Sequence, residues 1–477
     1  MKRRNFLALS AVAASAIFTG IYSSELCAKE NLILNNDFDT KLLIPTLLEG
    51  KEMKGVYHYD LNIQEAQHPF FKNVLTRTYA VNDTYLAPTL RLINGQKVSI
   101  NYTNNLSETT TMHGHGMHLP PEMDGSAHQP ITPNKTWSAK YKVSQRACTN
   151  WYHPHTIDKT AKHVYKGLAG LIIIEDDESQ RLDLPKEYGV DDIPLVLQDR
   201  FFDRNGQIDY SPSMHQIMLG YKGDTFIANG VINPYVDIPA KEVRFRLLNG
   251  SNSTVYELSF SDNQAFKQIA GDNSFLEKPI EMKVLRLSPG ERAEIVLDLS
   301  DKFNQSFYLL ENRQKKAFVK INVNQNATSK TSLPEQLTSL DAYSLKDVTK
   351  HRSFVLSAMM GRVSINNKTM NMNRIDEVLK LKEVEIWEVT NQGMMMRMEH
   401  NFHIHATYFR IIERNGSYDN VLENEKGYKD TVYLAPGDTV KLLVKMTDYS
   451  SKKTPYMYHC HFLEHEDAGM MGQFLVI

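Results

Sequence analysis

One pattern of alternating residues occurs three times along the chain, and it restricts the possible fold more than any other feature. In each copy a segment ends at an asparagine, with apolar residues two and four places before it; these asparagines are Asn104, Asn249 and Asn391. A second segment follows a proline turn and carries apolar residues four, six, eight and ten places later; these prolines are Pro133, Pro289 and Pro436. Since successive side chains of a β-strand point to opposite faces, a period of two predicts half-buried strands.

The spacing of the copies indicates how the strands are divided into domains. The three turn prolines lie 156 and 147 residues apart, which is about the length of one domain. Polar stretches at 175–192 and 326–350 lie between the copies and have the composition of linkers. The sequence therefore predicts an all-β chain of three consecutive sandwich domains, at residues 43–175, 190–326 and 350–477.

Composition excludes some classes of partner. The formal net charge is −2 and the pI is near 6.8, so nothing favours binding to nucleic acid or to an anionic membrane. Three cysteines cannot form a disulfide framework. A cysteine that matters here is therefore expected to act through metal binding or reactivity.

Residues 1–28 have the features of an export signal. Lys2, Arg3 and Arg4 precede a mostly apolar run from Phe6 to Ile21, which is short for a membrane span. Adjacent arginines followed by an apolar run are typical of the twin-arginine route. We expect a periplasmic or otherwise exported protein with no stable membrane span in its mature form.

Ten of the 17 histidines fall in four short windows of the first and third copies. The windows are HGH (His113, His115), HPH (His153, His155), HNFHIH (His400, His403, His405) and HCHFLEH (His459, His461, His465). On a strand, His-X-His presents both imidazoles on one face. Four such pairs from two neighbouring domains can therefore converge on one cavity. Eight imidazoles without a carboxylate suit several copper or zinc ions.

Cys460 lies between two of these histidines. Because side chains alternate on a strand, its sulfur is expected to point away from the cavity that His459 and His461 face. His400 and His465 can complete a His₂Cys site around that sulfur, with Met470 as a weak axial ligand. This ligand set is typical of blue-copper electron-transfer sites.

In order and spacing the four windows resemble those of the multicopper oxidases, from about Leu43 to Ile477. The segments TMHGHGMHLPPEMDG, WYHPH, HNFHIHATYFRI and HCHFLEHEDAGMM are similar to those of bacterial periplasmic copper oxidases and laccases. The resemblance implies three cupredoxin-like Greek-key domains, the second without copper ligands. It also implies four copper ions, one of type 1, one of type 2 and a type 3 pair, the last three forming a trinuclear cluster between domains 1 and 3.

The resemblance also assigns roles to individual residues. The type 1 ligands would be His400, Cys460, His465 and Met470. The type 2 ligands would be His113 and His403, and the type 3 ligands His115, His153, His155, His405, His459 and His461. Asp124 and Glu466 match the acids that relay protons as dioxygen is reduced.

Three functions remain open at this stage. Met394, Met395, Met396 and Met398 precede Glu399 and His400, and thioethers bind Cu(I) well, so a cuprous oxidase active in copper tolerance is favoured. A laccase-type oxidase of phenols or Fe(II) would use the same coppers. A copper-binding cupredoxin protein without turnover is the third possibility, and the complete ligand set argues against it.

Overall fold

A computed structural model describes residues 37–477 except 328–330, 342–343, 360 and 394–396. The export signal predicted at residues 1–28 lies outside the described residues, as do Met394, Met395 and Met396.

Two sheets form the first sandwich. A short strand, β1 (Thr40–Lys41), precedes it and joins a sheet of the second sandwich. The strands of the first sandwich are β2 (Leu47–Glu49), β3 (Lys51–Met53), β4 (Val56–Phe71), β5 (Val74–Val81), β6 (Thr89–Ile93), β7 (Lys97–Asn104), β8 (His113–His115), β9 (Thr136–Lys142), β10 (Cys148–His153) and β11 (Gly170–Glu175). One sheet has the order β2-β6-β11-β10-β8, and the other has the order β3-β4-β7-β9 with β5 paired to β4.

The second sandwich also consists of two sheets. Its strands are β12 (Asp192–Phe202), β13 (Ile208–Asp209), β14 (Thr225–Ala228), β15 (Val231–Ile232), β16 (Pro234–Pro239), β17 (Glu242–Asn249), β18 (Tyr256–Phe260), β19 (Phe266–Ala270), β20 (Phe275–Met282), β21 (Leu285–Leu287), β22 (Arg292–Asp298), β23 (Gln305–Glu311) and β24 (Lys316–Gln325). The sheets have the orders β1-β16-β24-β23-β18-β21 and β15-β14-β12-β17-β22-β19-β20, with β13 paired to β12.

The third sandwich completes the chain. Its strands are β25 (Val348–Met359), β26 (Arg362–Ile365), β27 (Glu377–Leu379), β28 (Val384–Asn391), β29 (His400–Ile404), β30 (Phe409–Arg414), β31 (Thr431–Leu434), β32 (Thr439–Lys445), β33 (Ser451–His459) and β34 (Met471–Val476). The sheets have the orders β26-β25-β28-β32-β30 and β27-β34-β33-β29-β31.

Helices are few and short among the described residues. They are α1 (Thr160–Tyr165), α2 (Asp177–Arg181), α3 (Met214–Leu219) and α4 (Leu463–Asp467), together with 3₁₀ turns at Pro121–Met123, Leu345–Asp347, Tyr418–Asn420 and Glu423–Glu425. Within the described ranges, none has the length and apolar character that crossing a membrane requires.

The two repeated segments of each copy form neighbouring antiparallel strands. In the first sandwich β7 pairs with β9, in the second β17 pairs with β22, and in the third β28 pairs with β32. The apolar positions face each other across each pair, as Trp387 and Leu442 do in the third. Because these side chains are buried, each pair forms the centre of its own hydrophobic core. The prediction of an all-β chain with three consecutive sandwiches is confirmed.

The three repeated asparagines share one structural role. Each is fully buried at the end of its strand, and its side-chain amide donates to backbone carbonyls of two separate chain segments. Each side-chain oxygen accepts from the backbone N–H two residues later. The asparagine therefore closes a local turn and joins it to a second loop, a role that an apolar side chain cannot perform.

Candidate metal centre

Pairs of neighbouring strands hold most of the clustered histidines. In the first sandwich β8 lies antiparallel to β10, so that His113 faces His153 across the pair. In the third sandwich β29 lies antiparallel to β33, so that His403 faces His459. Since these edges of the two sandwiches meet, eight imidazoles from distant parts of the sequence come together in the interior, and all are essentially inaccessible to solvent.

The eight histidines form three groups of three, with His115 shared between two of them. In each group the ligand atoms all lie within 4.8 Å of one another. The groups are His113, His115 and His403; His115, His153 and His461; and His155, His405 and His459. Every group combines residues of the first and third sandwiches, so neither sandwich could hold a metal ion in this way by itself.

The contacts inside one group fit a bound cation. His405 Nδ1 lies 2.9 Å from the Asp124 carboxylate, and His459 Nδ1 lies 3.1 Å from the Cys460 carbonyl, so both Nδ1 atoms carry the proton. Burial lowers the pKa of His459 well below its usual value and, with His113 nearby, that of His405 to about 3, which keeps both rings neutral. Their Nε2 lone pairs then face each other at 3.1 Å. A metal ion between them would turn this repulsion into coordination.

The group of His113, His115 and His403 also fits a bound metal ion. His113 Nε2, His115 Nδ1 and His403 Nε2 are buried without a hydrogen-bond partner among the described residues. The opposite nitrogens are engaged: His113 Nδ1 by the Asp124 carbonyl at 2.8 Å and His403 Nδ1 by the Asp430 carbonyl at 2.9 Å. Second partners of this kind set the tautomer that a metal-binding histidine requires. The donor set fits copper, which accepts neutral imidazoles.

A separate group surrounds Cys460. Its sulfur lies 3.7 Å from His400 Nδ1 and 3.6 Å from His465 Nδ1. His465, on α4, donates from Nε2 to the Met218 carbonyl of α3 at 2.9 Å, so its Nδ1 is free to bind a metal. Burial raises the pKa of the Cys460 thiol to about 12, so a bound cation is needed to displace its proton. His459 and His461, on either side of Cys460, belong to the histidine groups instead.

Met470 is buried in the same hydrophobic core as Cys460. Its carbonyl accepts a hydrogen bond from the Cys460 backbone N–H at 3.1 Å, which holds the two chain segments side by side. Its backbone N–H donates to the His465 carbonyl at 2.9 Å. The methionine is thus attached to both the cysteine and the histidine of the predicted type 1 set.

Asp124 lies beneath the histidine groups. Its carboxylate accepts from His405 Nδ1, and its carbonyl accepts from His113 Nδ1. The next residue, Gly125, has φ +71°, and a Cβ there would lie 1.8 Å from the Met112 carbonyl, so only glycine permits this turn. Burial alone would raise the pKa of Asp124, but its interactions with His405 and His113 lower it well below its usual value.

Glu466, on α4, reaches the histidine groups from another side. Its carboxylate lies 3.2 Å from His459 Nδ1 and 3.7 Å from His155 Nε2, and it is fully buried. Burial, with Asp467 nearby, raises the pKa of Glu466 well above its usual value. A protonated carboxyl group therefore lies against two cluster histidines.

Of the predicted substrate contacts that the structure describes, Met398 is buried and Glu399 is partly buried. Met398 is 3% exposed and packs in the third core. Glu399 accepts from Tyr433 at 2.7 Å and from Arg313 at 2.9 Å, and Lys222 lies 3.8 Å away. A substrate cation would have to compete with these two positive charges for the Glu399 carboxylate.

Two residues of the centre were missed by the sequence analysis. Asp430 holds His115 through its carboxylate and His403 through its carbonyl, and Arg292 of the second sandwich binds Asp430. Asp430 directly precedes β31 in the segment YKDTVYL, and Arg292 belongs to a copy without histidine windows. The one signal in the sequence that could have identified them is that each is a charged residue at or directly before the start of a mostly apolar strand.

Comparison with known proteins finds multicopper oxidases and also proteins named for cell division. Three family models described as multicopper oxidase match residues 62–179, 227–333 and 334–477. Multicopper oxidase mco of Staphylococcus haemolyticus is 37% identical over 438 residues, covering 91% of this chain and 92% of the relative. The cell division protein FtsP of Xenorhabdus nematophila is 35% identical and covers 93% of each chain. A crystal structure of a laccase from Pediococcus acidilactici superposes with a TM-score of 0.87 at 34% identity, covering 93% of this chain and 94% of that one.

Proposed function

This chain belongs to the multicopper oxidase family of oxidoreductases, and on this basis we propose that it oxidises Cu(I) and reduces dioxygen to water with four bound coppers. The observation that carries the proposal is the convergence of three histidine triads beside a separate Cys460 group. The copper requirement follows from the family; the number of ions and the substrate are proposed.

The ligands are proposed to divide as follows. His400, Cys460, His465 and Met470 hold the type 1 copper. His113 and His403 hold the type 2 copper. His115, His153 and His461 hold one type 3 copper, and His155, His405 and His459 hold the other. This division is supported by the separate grouping of these donor atoms.

When bound, the four coppers supply the one-electron storage through which four electrons and four protons convert one dioxygen molecule into two waters. The chain contributes a short covalent connection between the two kinds of site, since Cys460 is bonded directly to His459 and His461. Burial of every proposed histidine and cysteine ligand excludes bulk water from both.

Protons are proposed to be handled by Glu466 and Asp124. Glu466 lies against His459 and His155, and Asp124 lies against His405 and His113, so both reach the space that the histidines enclose. The protonated Glu466 is proposed to deliver protons there, and the ionised Asp124 to accept them.

Cu(I) is favoured as the reductant because Met394, Met395 and Met396 lie four to six residues before His400. Thioethers prefer Cu(I) to hard cations. We expect the triple variant Met394→Leu/Met395→Leu/Met396→Leu to raise the KM for Cu(I) with little change for a phenol or Fe(II). The measurement is oxygen consumption with each reductant in turn. The single variant Met398→Leu, in the buried core, is the matched control. Unaltered Cu(I) kinetics in the triple variant, together with dominant phenol turnover, would contradict the proposal.

A laccase-type oxidase of phenols is the second candidate, and the surroundings of Glu399 favour it. Arg313 and Lys222 together outweigh the charge of that carboxylate, which disfavours the approach of a cation and favours a phenolate. The likeness to the Pediococcus acidilactici laccase points in the same direction. Oxygen consumption with Cu(I), Fe(II) and a phenol in turn separates the two candidates.

A copper-binding protein without turnover is the third candidate. It is raised by the likeness to proteins named for cell division. The full set of ten histidines and Cys460 argues against it, because a protein without turnover has no need of three histidine triads. Absence of oxygen consumption with all three reductants in the copper-loaded protein would favour this candidate.

Export by the twin-arginine route is proposed for residues 1–28. This route carries folded, cofactor-loaded proteins, which suits a chain whose metal ligands are buried. We expect Arg3→Lys/Arg4→Lys to leave the protein in the cytoplasm, because the route reads the arginine pair. Cell fractionation measures this, with Lys2→Arg as the control. Normal export of the double variant would point to an ordinary secretory signal.

A further inference from the structure

The second sandwich contributes no histidine to the triads of the described chain, yet it touches the centre directly. The turn before β22 places Gly290 against His461: a Cβ at this position would lie 3.2 Å from the imidazole ring, and φ is +85°. The amide of Asn401, next to His400, donates to the Pro289 carbonyl of the same turn at 2.8 Å. This turn carries Arg292 into the interior.

Arg292 is 1% exposed and joins all three sandwiches. Its guanidinium donates to both carboxylate oxygens of Asp430 in the third sandwich, at 2.8 and 2.6 Å. It also donates to the Asn150 side chain at 2.7 Å and to the Thr149 carbonyl at 3.0 Å in the first sandwich. In its own sandwich it donates to the carbonyls of Gly290 and Asp272, at 3.0 and 3.1 Å.

Asp430 transmits this arrangement to the histidines. Its carboxylate accepts from His115 Nε2 at 2.9 Å, and its carbonyl accepts from His403 Nδ1 at 2.9 Å. The proton of the His115 ring is thereby held on Nε2, and that of the His403 ring on Nδ1. The lone pairs of His115 Nδ1 and His403 Nε2 are left facing the metal position, and both atoms lack a hydrogen-bond partner among the described residues. The two rings stack at 3.8 Å, so a rotation of one would disturb the other.

A guanidinium bound to both oxygens fixes the plane of a carboxylate, which a single donor does not. On the basis of the proposed function, we propose that Arg292 is a positioning residue for the copper cluster where its type 2 position meets one type 3 position. It holds Asp430 in the orientation that presents His403 to the proposed type 2 copper and His115 to the proposed type 3 copper. The sandwich without ligands thus determines how well the other two bind copper.

Arg246 provides a matched control in the same sandwich. It is also buried, binds Asp192 and Glu294, and donates to Thr149 Oγ1 of the first sandwich at 2.8 Å. It therefore has buried ion pairs within the second sandwich and a hydrogen bond to the first, without bonding to Asp430 or to a cluster histidine.

The test compares Arg292→Met, Arg292→Lys and Arg246→Met in the full-length protein titrated with copper. We expect Arg292→Met to weaken copper binding at the His113 and His403 position by about 10- to 100-fold. This is the range typical of losing a group that hydrogen-bonds to a metal-binding histidine. Its type 2 electron paramagnetic resonance signal should be lost or altered while the blue absorption of the Cys460 site remains. Arg292→Lys keeps the positive charge but cannot bind both Asp430 oxygens in the same way, so its copper affinity should lie between those of Arg292→Met and wild type. If Arg292→Met does not fold, Arg292→Lys is compared with Arg246→Met instead.

Two outcomes would overturn the inference. One is an Arg292→Met or Arg292→Lys protein with the full copper complement and an unchanged type 2 signal. The other is an equal loss of type 2 copper in Arg246→Met, which would show that any buried arginine of this sandwich has the same effect. Failure of the proposed function is distinguishable, because wild type itself would then take up no type 2 copper.

Discussion

Cys460→Ser is expected to abolish the intense blue absorption, lower the copper content from four ions per chain to three, and reduce oxidase turnover by more than about 100-fold. A serine hydroxyl is a poor copper ligand and cannot give the thiolate charge-transfer band. The covalent path from the type 1 position to His459 and His461 would also lose its sulfur. Absorption spectra, metal analysis and oxygen consumption measure the three effects.

Cys148→Ser is the matched control for this prediction. Cys148 is 2% exposed in the first core, and belongs to none of the metal-binding groups of the described chain. This variant should keep its colour and copper content. A Cys460→Ser protein that retained both colour and turnover would contradict the assignment of the type 1 site.

Glu466→Gln is expected to lower turnover by about 100- to 10,000-fold, the usual range for loss of a proton donor. The blue absorption should remain. The amide keeps the shape of the side chain but cannot deliver a proton beside His459. Anaerobic bleaching of the blue absorption by the reductant should therefore proceed normally. Recovery of the colour after oxygen is admitted should be slow. Stopped-flow absorption separates the two rates.

Glu464→Gln, on the same helix, controls for the loss of a buried carboxylate. Glu464 accepts from Asn252 and Ser253 of the second sandwich and contacts no histidine of the triads. It should keep most of its turnover, since the glutamine oxygen can still accept from Asn252 while its amide group can donate to the Ser253 hydroxyl. Rapid recovery of the blue absorption in Glu466→Gln would exclude Glu466 as the proton donor.

The strands were predictable because their signal is local. Apolar residues at every second position, such as Phe245 and Leu247, can be buried together only on a strand. The pattern did not predict that the strand ending at Asn391 pairs with the strand that follows Pro436. The asparagines were recognised as markers of the repeat, but their bonds to two separate loops depend on chain folding that the pattern does not contain.

The sequence by itself determined which residues can bind metal. Because neighbouring side chains of a strand point in opposite directions, it also determined that Cys460 would face away from the cavity of His459 and His461. Only the tertiary structure decided how the histidines divide into triads: His153 joins His115 and His461, whereas His155 joins His405 and His459. It also brought in Asp430 and Arg292, neither of which belongs to a histidine window. The reason is physical: the direction of a side chain is a property of its own strand, whereas a triad or a buried ion pair exists only when surfaces hundreds of residues apart pack against each other.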